Sequence, residues 1–381
     1  MKPSSVLPLY FTLTLFVGVF GFHIFDFAYG MPFGLGDNLP IQDYEEAGLI
    51  FFIATLSYCL GSMMWGKSRA LTFTRASEPQ YRRISPVLSF IYIVTPAVLF
   101  FSSYGWDIFS RTEYIPENIG GFKFLGKVIL VIMLFQLRAI VKSEILISFV
   151  YALYFFILLG YGSRMLALLP VINFISISMN SRSRGGFLGL AFHLLLCILF
   201  IMMVIQFRRL SMHGIFPYLK DFFINGIDLS IATFAVNYLT SFSYSLTAFL
   251  TSEIIYSKSY FFTSIHPMFG SIAGWPEIQD TLRVNTYVPY NGLSELAATG
   301  YGVLAMYFIS VGFLLKGMER YFYRSFLGLM VVMCVSALFS VEILQYNLRS
   351  ATRMLYYSIL LLFSYSIYLN VRAFLPKKND Y

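Results

Sequence analysis

Long apolar runs alternate with short polar turns along most of this chain. A membrane helix needs about 20 mainly apolar residues. The pattern predicts ten such helices, at about 5–28, 47–66, 84–104, 123–141, 145–163, 165–180, 186–207, 295–315, 325–343 and 354–371. Between the seventh and the eighth lies the one long polar stretch, 208–294, which predicts an outer loop containing short helices. Within it, residues 229–250 are apolar but rich in Ser, Thr, Tyr and Asn. They are read as an interfacial or re-entrant helix packed on protein. No repeat or linker divides the chain, so residues 1–381 are expected to form a single transmembrane domain.

Composition agrees with that pattern. Charged residues are 12% of the chain, about half the share of a soluble domain. The net charge of +8 is not a nucleic-acid signal, because the cations sit in short turns and set topology. With the N-terminus inside, Lys67, Arg69, Arg75, Arg82 and Arg83 share an inner turn, while Asp37, Asp43, Glu45 and Glu46 share an outer one. The later turns follow the same bias, with Lys316, Arg320 and Arg324 inside. This predicts ten spans with both termini cytoplasmic. The first apolar run is too long for a signal-peptide core and is read as a retained helix. Cys59, Cys197 and Cys334 all fall in apolar runs, so neither disulfides nor a metal cluster is expected.

Charges at the outer face then become the candidate chemistry. Arg164, Arg208, Arg209, Arg283, Arg349 and Arg353 all stand there against the positive-inside bias. Guanidinium groups suit phosphate, through paired hydrogen bonds; the plainer reading is contact with lipid headgroups. The basic turn Ser181–Gly186 is read as a topology determinant, not a phosphate loop. His23 and His193 are read as hydrogen-bonded core residues. His213 and His266 lie outside, and no histidine pair has metal-ligand spacing. No Asp-x-Asp pair in the outer loops suggests a metal-dependent sugar transferase. Glu277, Asp280 and Glu295 are the loop carboxylates of interest. Glu295 can serve as a base at the membrane mouth; alternatively, Ser294 caps its helix and Glu295 complements the dipole. No cofactor is expected.

One ordered set of features carries a family resemblance. A Gly-Ser-Arg turn (Gly162, Ser163, Arg164) precedes a short helix, a basic inner turn and one more span. A long outer loop with Trp275–Pro276 follows and closes on Glu295 with Gly300 and Gly302. Over about residues 145–371 this order resembles the Wzy family of O-antigen and oligosaccharide repeat-unit polymerases, and is distantly similar to the O-antigen ligases. The resemblance implies an all-α polytopic membrane protein of GT-C-like class in a bacterial cytoplasmic membrane, with its site facing outward. It implies a glycosyltransferase without cofactor or metal, acting on donor and acceptor oligosaccharides linked to undecaprenyl diphosphate. A flippase and a chain-length regulator would be partners. Arg164, Arg208, Arg209, Arg283, Arg349 and Arg353 would hold diphosphate. Glu295, His266 or Glu277 would supply the base; His266 is a loose positional counterpart of the ligases' outer-loop histidine. Trp275, Tyr287 and Asp280 would contact sugar. Arg164, Arg283 and Arg353 should converge on one outward cavity. The alternatives are a ligase-type glycan transferase and a non-enzymatic flippase or transporter of lipid-linked oligosaccharides.

Overall fold

The computed structural model describes residues 3–23, 39–66, 86–113, 123–141, 143–180, 187–253, 256–267, 274–282, 290–322 and 326–374. Among them are sixteen α-helices and a single isolated β-bridge, between Arg111 and His213. Among the described residues, five segments are long and apolar enough to cross a membrane: Pro3–Gly21, Ile41–Met63, Ser89–Ile108, Leu188–Phe207 and Tyr301–Tyr321. Shorter apolar helices accompany them, including Glu144–Gly160 and Val331–Gln345. The chain is a multi-pass membrane protein. It forms two compact units, one of residues 1–71 with 240–381 and one of 72–239. The stretch 208–294, expected as an outer loop, is divided between them.

The first unit contains α1 (Val6–His23), α2 (Ile41–Met63), α10 (Phe242–Glu253), α11 (Lys258–Ile265), α12 (Trp275–Thr281), α13 (Gly292–Thr299), α14 (Tyr301–Tyr321), α15 (Phe326–Gln345) and α16 (Leu348–Phe374). Its centre is the parallel pair α2 and α14. Tyr301 donates to Glu46 at one end (2.8 Å), and Trp65 Nε1 donates to the Phe313 carbonyl towards the other (2.7 Å). Two glycines let the backbones touch. A Cβ on Gly61 would lie 2.0 Å from the Ile309 carbonyl oxygen, and one on Gly312 would lie 2.2 Å from that of Tyr58. Small residues at a helix crossing allow this approach, and dispersion contacts then hold the pair together in lipid.

α1 runs antiparallel to this pair. Its leading residue Ser4 donates its backbone N–H to Glu319 (2.9 Å), near the end of α14. Lys316 Nζ lies 2.5 Å from Glu319 Oε1, and both side chains are buried. Lys316, expected in an inner turn, lies on α14 and is a buried ion-pair member that fastens the N-terminal segment.

Several boundaries differ from those expected. α2 begins at Ile41, so Asp43, Glu45 and Glu46 lie on its first turns and not in a loop. The expected helix 295–315 is two helices. Gly300, with φ +127, ends α13 and opens α14, a conformation that glycine tolerates and other residues resist. The expected helix 229–250 is also two, α9 (Ala232–Thr240) and α10, separated at Ser241. α10 is nearly all buried, and its Tyr244 hydroxyl reaches the Tyr44 carbonyl (2.5 Å).

The second unit contains α3 (Pro86–Tyr104), α4 (Lys123–Ile140), α5 (Glu144–Gly160), α6 (Leu168–Asn180), α7 (Phe187–Phe207), α8 (Ile215–Asn225) and most of α9. Its polar fastening is Arg111, which is buried and donates to the Asp107 and Gly160 carbonyls (2.9 and 2.8 Å). Those are carbonyls that helix ends leave without intrahelical partners. His193 is hydrogen-bonded, as expected, to Asn173 and to the Gly189 carbonyl.

Candidate functional site

The site in the first unit grows from the start of α13. Asn291 is the helix cap: its Oδ1 accepts from the backbone N–H groups of Leu293 (2.9 Å) and Ser294 (3.1 Å). Its Nδ2 donates to Thr247 Oγ1 of α10 (2.9 Å). This replaces the expected cap. Ser294 lies inside the helix, and its hydroxyl donates to the Thr247 carbonyl (3.3 Å). Next to the cap, Gly292 N–H donates to the Tyr346 carbonyl (2.9 Å). A Cβ on Gly292 would come within 2.9 Å of Leu348 Cα, so the α13 backbone lies directly on the turn that opens α16.

That contact sets the position of Glu295. Its Oε2 accepts the backbone N–H of Leu348, the first residue of α16, at 3.0 Å. Asn347 completes the same helix start by accepting from Ser350 N–H (2.8 Å). Glu295 therefore complements the positive end of α16, a helix 53 residues away in sequence. Glu295 also stands in the first turn of its own helix α13, as expected. Its side chain is fully buried, and Oε1 has no hydrogen-bond partner among the described residues. Desolvation outweighs the backbone hydrogen bond and pushes the carboxyl pKa up to about 8. The Tyr256 phenol is close by: burial first, then the Glu295 charge, raises its pKa, while its hydroxyl pairs with Ser264 (2.9 Å).

The other first-unit candidates lie on or next to α11, α12 and α16. Arg349 is 2% exposed; its guanidinium donates to the Thr263 carbonyl at the end of α11 and lies 5.5 Å from the Trp275 ring centroid. Cation–π contact of this kind strengthens when water is excluded. Trp275 is itself buried beneath this arginine, so its ring serves as the seat of Arg349 and not as an open sugar platform. Arg353 lies one helical turn further along α16 and is half-buried. The Tyr356 hydroxyl donates to the Ile265 carbonyl (2.6 Å), so α16 holds the end of α11 at two points. His266 follows immediately and is exposed, as are Glu277 and Asp280 on α12. Arg283 and Tyr287 lie outside the described residues.

The remaining arginines belong to the second unit. Gly162, with φ +63, turns the chain, and the Ser163 hydroxyl accepts Met165 N–H (3.2 Å) to cap a 3₁₀ turn, Arg164–Ala167. Arg164 opens that turn; its side chain is outside the described set. Arg208 Nη2 donates to the Gly162 carbonyl (3.4 Å), so Arg208 and the Gly-Ser-Arg turn meet, while Arg209 is exposed. Of the three arginines expected to converge, Arg164 belongs to the second unit, Arg353 to the first, and Arg283 lies outside the described residues.

Among the described residues, no group of three or more His, Cys, Asp or Glu side chains could hold a metal ion. Glu295 is thus a buried titratable carboxyl with its pKa raised to about 8, a kind of perturbation that clusters at functional sites. Sequence reasoning missed Asn291, Thr247 and Tyr256. The Asn291–Gly292 pair before an apolar helix is a cap signal; nothing local marks the other two. Comparison of the chain with known protein families, curated proteins and solved structures finds no match.

Proposed function

We propose that this protein is a Wzy-type glycan polymerase, a glycosyltransferase without a metal that joins oligosaccharide units carried on undecaprenyl diphosphate. In this reading ten helices cross the bacterial cytoplasmic membrane, both termini are cytoplasmic, and Glu295 faces outward. One observation carries the proposal: Glu295 is buried with one oxygen fixed by Leu348 N–H and the other without a hydrogen-bond partner among the described residues. A carboxyl so held, with its pKa near 8, is suited to general base catalysis.

The reaction follows from these groups. The acceptor hydroxyl oxygen attacks the donor's anomeric carbon. The bond from that carbon to the diphosphate oxygen breaks, and the electron pair leaves with undecaprenyl diphosphate. The hydroxyl proton passes to Glu295 Oε1. For this the hydroxyl must come within about 3 Å of that oxygen. Negative charge gathers on the leaving diphosphate, where fixed cations stabilise it. Arg353 is the arginine of α16 that faces the diphosphate, and Arg349, seated on Trp275, fixes its surroundings. The polymerase reading also assigns diphosphate contact to Arg164, Arg208, Arg209 and Arg283. His266, Glu277 and Asp280 meet the acceptor glycan from the exposed faces of α11 and α12.

The test is a glycan ladder from a deletion strain complemented with wild type, Glu295→Gln or Arg353→Ala. Deletion should leave single capped units. Each variant should insert at wild-type levels yet give no long chains. Normal ladders from both variants would sink the site, and unligated long polymer after deletion would point instead to a ligase.

A further inference from the structure

The second unit carries an exposed aromatic surface that the proposed chemistry does not use. α8 has eleven residues, about half the length needed to cross a bilayer. Yet Phe216 is 62% exposed and Phe223 80%. Seven residues apart, they lie on one stripe of the helix, since 3.6 residues make a turn. Lys220, beside that stripe, is exposed. The opposite side is pinned to the protein. Tyr218 is buried, stacks on Phe207 (centroids 4.8 Å apart) and pairs with His213 Nδ1 (3.0 Å). The start of α8 is held as well: Phe216 N–H donates to the Phe109 carbonyl (3.1 Å). Gly214, with φ +117, lies so close that a Cβ would come within 2.6 Å of the same oxygen. The phenylalanines are thus held outward by a rigid mount.

What they face follows from their neighbours. A run of rings leads from a membrane-crossing segment to α8. Phe101, exposed on the Ser89–Ile108 segment, meets Trp106 edge-on (5.5 Å); Trp106 meets Phe109 (5.7 Å); and Phe109 stacks on Phe216 (5.5 Å). Trp106 is 76% exposed at the end of that segment, the level at which tryptophan marks the boundary between acyl chains and headgroups. We propose that α8 lies in the plane of the membrane at this boundary, with Phe216 and Phe223 among the acyl chains and Lys220 beside the lipid phosphates. The occupant of the face is lipid, because the apolar surface is continuous with the lipid-facing side of α3. A short helix with an apolar stripe and a flanking cation binds membranes in this way. The inference rests on membrane crossing by α3, not on the glycan polymerase reading.

Site-directed spin labelling tests it. With Cys59, Cys197 and Cys334 replaced by alanine, nitroxides are placed at Phe223→Cys and, as the water-facing reference, at Asn225→Cys. The full chain is reconstituted in vesicles of phosphatidylethanolamine and phosphatidylglycerol. The label at 223 should collide with oxygen at least about threefold more often than with a water-soluble nickel chelate, and the label at 225 should reverse that order. Equal nickel access at both positions overturns the proposal. Shielding of position 223 from both reagents also overturns it, in favour of a protein partner. Phe216→Cys gives the same reading should Phe223→Cys fail to fold.

Discussion

Replacing Glu295 with glutamine keeps the oxygen that accepts from Leu348 N–H but removes ionisation. In the folded protein the carboxyl pKa is raised from an ordinary 4.5 to about 8. Between those values the folded state holds one proton more than the unfolded chain, so stability falls as pH rises and levels off above about pH 8. At about 1.4 kcal/mol per pH unit the whole effect is about 5 kcal/mol, and about 3 kcal/mol of it is lost between about pH 5.5 and 8.5. Glutamine carries no such dependence. Its amide nitrogen, in place of the unpartnered Oε1, costs about 1–3 kcal/mol at every pH. The two stability curves should therefore cross: Glu295→Gln melts below wild type in acid and at or above it in mild alkali. Thermal denaturation of detergent-solubilised protein followed by intrinsic fluorescence measures this. Parallel curves for wild type and variant would show that Glu295 does not titrate across this range, and the burial argument would fail.

The pH dependence of activity runs the other way. A general base must be ionised, so polymer formation from lipid-linked units should rise about tenfold per pH unit below about pH 8 and then flatten; a rate independent of pH from 6 to 8 removes Glu295 from that role. Gly312→Val forces a Cβ against the Tyr58 carbonyl, 2.2 Å away; strain of about 1–3 kcal/mol or more should part α2 from α14 and show as aggregation in fluorescence-detected size exclusion. Asn291→Ala removes both the α13 cap and the bond to Thr247, at about 1–2 kcal/mol; Asn291→Asp retains the cap and should recover part of the loss in the same melting assay.

Much of the helical layout was legible because bilayer crossing is a property of local composition. The expected helices at 84–104, 123–141 and 186–207 match α3, α4 and α7 to within two residues at each end. Errors arose where hydropathy and helicity part. Asp43, Glu45 and Glu46 are polar yet helical, since a helix can continue past the hydrocarbon and satisfy its own backbone. Leu348–Phe374 likewise starts six residues before the expected apolar run, because Asn347 caps it there and not at the membrane edge.

The candidate site divides along the same line. The sequence by itself determined the membrane class, the positions of most apolar helices, and the choice of Glu295, Arg349, Arg353 and Trp275 as residues to watch. Composition and charge bias are readable one segment at a time. Only the tertiary structure decided what those residues do to one another. It placed the Glu295 carboxyl on the first N–H of a helix 53 residues on, and left its other oxygen without a partner among the described residues. It set Arg349 over Trp275 and exposed His266, Glu277 and Asp280. The physical reason is that desolvation and hydrogen-bond pairing belong to the contacts around a group. Those contacts come from segments that only folding brings together.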